Sequence, residues 1–276
     1  MKNILFEKNI QLSSMKDEFR LWLQEIKPIF KDKQDNFISI CEYGVTEMVN
    51  NIIDHAEATE FKIEIVEIDK KIKIILKDNG VGIFQKILQK FNLDSELHAL
   101  IELIKGKLTT APEGHTGEGI FFTSRCFDNF ILVSGKLRVE FFGDICHAKV
   151  IEEERGTYLE MSLDIETTKT IKSIFDQFCG EEENYVFSKT RFSISIAQNE
   201  GNLISRSQAK RIAARLEQFL DVEINFSGVD SIGQGFADEL FRVWKNKNPK
   251  TQLHAINANN DVRKMISHVT LSIPKE

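Results

Sequence analysis

Glu47 and Asn51 stand four residues apart in Glu47-Met48-Val49-Asn50-Asn51, so a helix carries this carboxylate and carboxamide on one face. His55 follows four residues later and extends the stripe. The Asn51 side chain offers a carbonyl oxygen, a hard ligand suited to Mg²⁺, an ion that usually keeps water and takes phosphate oxygens as well. Glu47, one turn earlier, is placed to orient or deprotonate a water beside a terminal phosphate. The plainer reading of the same stripe is a solvated helix face with ordinary charges.

Asp78-Asn79-Gly80-Val81-Gly82 closes an apolar run and opens a helical one. A carboxylate there can accept a hydrogen bond from an exocyclic amine, which favours adenine over guanine. Gly80 and Gly82 let backbone approach a ligand closely. Asp-Asn-Gly is also an ordinary turn sequence. A third segment, Gly114-His115-Thr116-Gly117-Glu118-Gly119, opens onto Ile120-Phe121-Phe122. Free N–H groups at a helix start bind phosphate, and glycines let the phosphate reach them. His115 and Thr116 are candidates for side-chain contacts; the alternative is a flexible linker. The run lacks the Gly-Lys-Ser/Thr ending of a P-loop and the strand-to-helix setting of a Rossmann loop.

The elements that must position these residues are readable from periodicity. Residues 14–30 read as an amphipathic helix capped by Ser14, with Phe19, Trp22, Leu23 and Ile26 at helical spacing. A second helix begins at Asp35 and runs to about Glu57. The period then becomes two: Phe61, Ile63, Ile65 and Ile72, Ile74, Leu76 alternate with polar residues about a break at Asp69-Lys70-Lys71, which predicts a hairpin. Helical patterns return over 83–91 and 94–105, a polar loop covers 105–117, and 119–127 forms a short helix. Strands are expected at 130–134, 137–142, 146–151 and 157–163, and a connecting helix at 165–179. Beyond the acidic run at 180–184 the order is strand (192–196), helix (205–220), strand (222–226), helix (235–244), strand (252–256), helix (261–268).

The fold class expected is therefore α+β: helices on one side of an antiparallel or mixed sheet, followed by a small α/β domain. The boundaries are a helical extension at 1–34, a first domain at 35–165, a linker helix and acidic linker at 166–184, and a second domain at 185–276.

Size and composition limit the function classes. A chain of 276 residues with 42% hydrophobic and 28% charged residues has a core for each of two modest domains. A net charge of −6 argues against a surface built to grip nucleic acid, although Arg206, Lys210, Arg211 and Arg215 form a local basic cluster or a solvated helix face. Cys41, Cys126, Cys146 and Cys179 are scattered, as reduced cytosolic thiols are. There is no apolar run of membrane-spanning length and no signal-peptide core, so a cytoplasmic protein without membrane insertion is expected.

Taken in order and at compatible spacing, Glu47-x-x-x-Asn51, Asp78-x-Gly80-x-Gly82 and Gly114-x-x-Gly117-x-Gly119 resemble the N-box and the two glycine boxes of the GHKL ATPase superfamily. That superfamily includes DNA gyrase, MutL-type repair ATPases, histidine kinases and anti-sigma-factor kinases. The resemblance covers roughly residues 35–165 and implies a Bergerat-type α/β sandwich with ATP under a lid at about 83–116. By that resemblance Asn51 coordinates Mg²⁺, Asp78 contacts the adenine amine, and Gly117 and Gly119 contact phosphates. Gly156-Thr157 resembles the superfamily's late Gly-Thr, where the Thr sits beside the adenine-binding Asp.

A histidine kinase with its own phospho-acceptor needs a His on a helix ahead of the ATPase domain, and the first His here is His55. Gyrase-like and repair-like ATPases carry a transducer domain, for which the C-terminal part is too short and wrongly ordered. Residues 187–274 instead resemble a STAS-like domain, the fold of anti-anti-sigma factors, of a subgroup found beside GHKL domains. The segment from Val222 to Leu240, a strand ending in a small-residue turn that opens a helix, carries that resemblance, with Ile256-Asn257-Ala258-Asn259-Asn260 as the next strand and turn. In phosphorylated STAS proteins a Ser or Thr opens that helix. Here the position falls near Ile232-Gly233 and the nearest hydroxyl is Ser231, a phospho-acceptor or else a capping or turn residue.

The expectation is an ATP-dependent conformational switch with slow hydrolysis, with ATP and Mg²⁺ as cofactors and a protein partner reached through the STAS-like domain. The alternatives are a serine/threonine kinase of the anti-sigma-factor-kinase type and a nucleotide-sensing adaptor without turnover. A homodimer is compatible with the sequence.

Overall fold

Apolar residues at every second position make a sheet with one face to bury, and a helix with an apolar stripe covers it. The computed structural model describes residues 2–15, 17–110, 117–180 and 186–271. The chain divides into two compact units, Met1–Phe175 and Asp176–Glu276.

The first unit is a five-stranded antiparallel sheet in the order β1-β2-β3-β5-β4, built from β1 (Lys2–Gln11), β2 (Glu60–Ile68), β3 (Lys71–Asp78), β4 (Asn129–Phe142) and β5 (Ile145–Asp164). The hairpin β2–β3 pairs Ile63 with Leu76 and Ile65 with Ile74, and all four side chains are buried. The long helix α2 (Asp35–His55) buries Phe37, Ile40, Val45, Met48, Val49 and Ile52, one stripe at three- and four-residue spacing. A Cβ at Gly44 would fall 2.4 Å from the Phe127 ring and 3.2 Å from Met161 Sδ, so α2 lies closely against Phe127 and the β5 face. Three shorter helices complete this layer: α3 (Ile83–Phe91), α4 (Glu96–Lys105) and α5 (Gly119–Cys126).

The N-terminal segment corrects the expected helical extension. Residues 2–11 are a strand, paired antiparallel with β2 from Lys2–Ile68 to Gln11–Glu60 across a register shift between Ile4 and Phe6. An open strand edge leaves a row of unpaired N–H and C=O groups, and β1 satisfies that row on β2. Its residues are mostly exposed, so they leave no apolar alternation to read. After a 3-10 turn at Leu12–Ser14, α-helix begins only at α1 (Glu18–Leu21), continued by a π-helical turn (Trp22–Ile26) and a 3-10 turn (Lys27–Phe30). Its cap is Asp17, which accepts from the Arg20 N–H at 2.7 Å, and not Ser14, whose hydroxyl donates to the Gln11 carbonyl. The four expected strands of 130–163 are two long ones. Gly135, at φ +55, bulges β4 where two strands were expected to part.

The second unit is a parallel three-stranded sheet, β6-β7-β8, made of β6 (Lys189–Ser193), β7 (Asp221–Asn225) and β8 (Gln252–Ile256). Helix α6 (Ile171–Phe178) is shorter than the expected connecting helix, and the acidic run at 181–184 lies outside the described residues. Helix α7 (Arg206–Ala213) is closed at its start by a capping box between Ser205 and Gln208 and stops well before residue 220, with Arg215 left-handed at φ +65. Helix α8 (Gln234–Ala237) runs on through a π-helical stretch (Asp238–Trp244) into α9 (Lys245–Lys247), and α10 (Asn260–Leu271) follows β8. The basic cluster is partly neutralised here, since Arg206 pairs with Asp238 at 2.9 Å.

The four cysteines are buried. Burial pushes the Cys126 thiol up to about 12 and raises Cys41 and Cys146 as well, which keeps them as inert packing groups. Among the described residues no helix is long and apolar enough to cross a membrane.

Candidate functional site

The site grows from the end of β3. Asp78 is paired with Phe61 across the hairpin and is only 4% exposed. Its Oδ1 accepts from the Gly80 N–H at 2.8 Å and from the Thr157 N–H at 3.2 Å. Burial raises its carboxyl above the usual carboxylate value, against the opposing pull of these donors. Thr157 reaches Asp78 because Gly156, at φ +75, lets β5 pass directly over it; a Cβ at Gly156 would fall 2.2 Å from the Asp78 carbonyl oxygen. Gly156→Ala is therefore expected to destabilise the fold by about 2 kcal/mol or more, seen as a lower urea midpoint at unchanged slope. An unchanged midpoint would show that β5 can move aside at no cost.

The glycine turn after Asp78 docks on the end of α2. Val81 donates to the Ala56 carbonyl at 2.9 Å, and a Cβ at Gly80 would meet that oxygen at 2.1 Å. Asn79 ties the turn to the start of β2: its Oδ1 accepts from Thr59 N at 2.9 Å and its Nδ2 donates to Thr59 Oγ1 at 2.8 Å. Gly82, at φ +86, caps α3, whose first N–H (Ile83) donates to Ser134 Oγ at 3.1 Å and to Thr157 Oγ1 at 3.3 Å. Ser134 in turn donates to the Gly156 carbonyl at 2.9 Å.

The half-buried stripe of α2 faces the same space. Asn51 holds its amide nitrogen 3.9 Å from Met48 Sδ, and His55 Nδ1 lies 2.9 Å from Thr110 Oγ1. The start of α5 presses on Glu47, since a Cβ at Gly119 would fall 2.2 Å from Glu47 Oε2. Gly117, at φ +75, lies against the Leu108 backbone, which donates to its carbonyl at 3.3 Å.

Together these elements enclose a cavity of about 330 Å³, within the size range of small-molecule sites. Glu47, Asn51, Asp78, Gly82, Gly117, Gly119 and Thr157 all line it. Gly80 does not; it serves the close approach to Ala56 instead. Gly114, His115 and Thr116 lie outside the described residues. Ser231 belongs to the second unit, exposed and two residues ahead of Gly233, the N-cap of α8. It is therefore not the capping residue.

Sequence reasoning missed Ser134, an unremarkable strand serine whose partner stands about fifty positions away. It also missed Lys86, which lines the cavity. The signal for Lys86 was its place four residues after Gly82, in the first turn of a helix that leaves the glycine segment. Among the described residues no group of three or more His, Cys, Asp or Glu is arranged to hold a metal ion.

The class defined is a mixed α+β protein with an antiparallel sheet, a polar-and-apolar cavity in its first unit, and a separate parallel α/β unit. A model of the family described as STAS-like domain of unknown function (DUF4325) matches residues 208–263, from within α7 to the start of α10. The C-terminal unit thus carries a STAS-like domain. No curated protein matches the chain.

Proposed function

We propose that the first unit is a GHKL-type, Bergerat-fold domain that binds Mg²⁺·ATP, and that the protein is an ATP-dependent conformational switch with slow hydrolysis, signalling to a protein partner through its STAS-like domain. One observation carries the reading: seven residues of the three motifs and the late Gly-Thr, drawn from α2, β3, β5 and the starts of α3 and α5, line a single cavity.

The residues present suit the nucleotide. The cavity pairs an apolar wall (Leu76, Ile83, Leu132 and Leu159) with Asp78, as a base with one exocyclic amine requires. At its other end Gly117 and Gly119 line the cavity beside the start of α5, and a helix start favours negative charge. A magnesium ion here would draw Asn51 as its protein ligand and complete its shell with phosphate and water oxygens. Bound magnesium supplies charge neutralisation at the phosphates. Glu47 orients a water and takes its proton. Asp78, Thr157 and Gly82 hold the base, and Gly117 and Gly119 hold the phosphate end. Switching requires that ATP bind two states of the chain with different affinity.

The test is titration of the full chain with ATP, with and without magnesium, by calorimetry. Wild type is expected to bind ATP more tightly with magnesium. Asn51→Ala is expected to lose about 10- to 100-fold in affinity in the presence of the metal and to become insensitive to chelator. It is also expected to lose phosphate release, which separates an ATPase from an adaptor without turnover. Undiminished magnesium-dependent affinity in Asn51→Ala would remove the metal assignment, and wild type silent to ATP would remove the reading.

A further inference from the structure

The cavity has two chemically different ends. A rise of about 1.5 Å per residue along α2 sets His55 about 12 Å from Glu47. Glu47 and Gly119 meet at one end. Ala56 marks the other, where the turn carrying Gly80 and Val81 docks and Gly80 holds Asp78.

Lys86 belongs to the second end. It lies in the first turn of α3, its N–H donating to the Gly82 carbonyl at 3.0 Å. Its ammonium pairs with Glu57, the residue that follows Ala56 and leaves α2 in the left-handed conformation at φ +53. The Lys86 side chain is 25% exposed and lines the cavity, while that of Glu57 is 61% exposed and is absent from the lining. The pair thus keeps the lysine at the mouth with its counter-ion on the solvent side. Among the described lining residues Lys86 supplies the lysine or arginine charge, and it stands at the Asp78 end, away from Glu47.

We propose that Lys86, held by Glu57, is a positioning residue for the nucleoside half of the ligand, its ammonium set against the base and ribose and not against the phosphates. An ammonium is attracted to the face of an aromatic ring and donates up to three hydrogen bonds, so it can serve a purine nucleoside that carries no charge. The inference rests on the nucleotide reading above.

The test compares adenosine and Mg²⁺·ATP as ligands of wild type, Lys86→Met, Lys86→Arg and Glu57→Gln by calorimetry, with melting of each ligand-free protein as the check on folding. Lys86→Met is expected to weaken adenosine and ATP by the same factor, about five-fold. Lys86→Arg, which keeps the cation, is expected to retain most of the affinity, and Glu57→Gln to cost about two-fold on both ligands. Ligand-free melting should stay within about two degrees of wild type, because an ion pair this exposed contributes little. A loss that appears with ATP and not with adenosine would make Lys86 a phosphate contact and overturn the proposal; so would undiminished binding of both. If wild type binds neither ligand, the nucleotide reading itself fails and this assignment with it.

Discussion

Under the proposed function, Glu47→Ala is expected to abolish phosphate release while Mg²⁺·ATP still binds with an affinity within about two-fold of wild type. The expected fall in turnover is about 10²- to 10⁴-fold, the usual contribution of a positioned general base. The geometry separates the two effects. Glu47 lies against the start of α5 beside Gly119, at the proposed phosphate end of the cavity, whereas Asp78, the proposed base contact, sits with Gly80 and Thr157 at the other. Alanine removes the proton acceptor and leaves the packing of α2 on the sheet intact, since Glu47 is not among its buried residues. Phosphate release followed at saturating ATP, together with calorimetric affinity, reads both quantities. Turnover that survives in Glu47→Ala would mean that another group activates the water. Loss of binding together with turnover would mean that Glu47 holds the ligand and does not act as base.

Asp78→Asn is expected to lower affinity for ATP and adenosine alike by about 10- to 100-fold, because a charge-assisted hydrogen bond to the exocyclic amine becomes a poorer one. The ligand-free fold should not suffer. Asparagine keeps an oxygen to accept from Gly80 and Thr157 N–H, and it removes a carboxylate whose burial is unfavourable. The sign follows from the raised carboxyl. A buried acid with a folded-state pKa above its unfolded value binds more protons when folded. Its penalty is absent below the unfolded value, grows as pH rises through the folded value, and is fully present above it. Asp78→Asn should therefore be at least as stable as wild type at neutral pH and lose that advantage in acid. Chemical denaturation at pH 7 and pH 4 reads the stability, and calorimetry the affinity. Binding that is unchanged in the variant would remove Asp78 from base recognition, and a large loss of ligand-free stability would show that the charge itself holds the turn.

Legibility in the sequence depended on how local the determinant was. The stripe from Phe37 to Ile52 and the alternation from Phe61 to Leu76 predicted α2 and the β2–β3 hairpin, because each periodicity is complete within one element. The end of β4 was less legible: Leu137, Val139 and Phe141 are buried much as a separate strand would bury them, and the continuity through Gly135 depends on a bulge that no period reveals. In the second unit the strand–helix alternation was readable. The lengths were not, because α7 ends at Ala213, ahead of a left-handed Arg215, in a stretch whose composition continues to read as helix.

By itself the sequence determined which residue types were available for chemistry and the local frame of each: Glu47, Asn51 and His55 on one helix face, Asp78 at a strand end, and glycines where backbone had to pass closely. Only the tertiary structure decided which of them share a space. Thr157 reaches Asp78 through the pairing of β3 with β5, and Gly119 reaches Glu47 through the packing of α5 on α2. Ser134 pins the start of α3, Lys86 meets Glu57 at the mouth, and β1 takes the edge of β2. The physical reason is that propensity and periodicity act within a turn or two of chain. These contacts join residues far apart in sequence, and strand register and the burial of the sheet face select them.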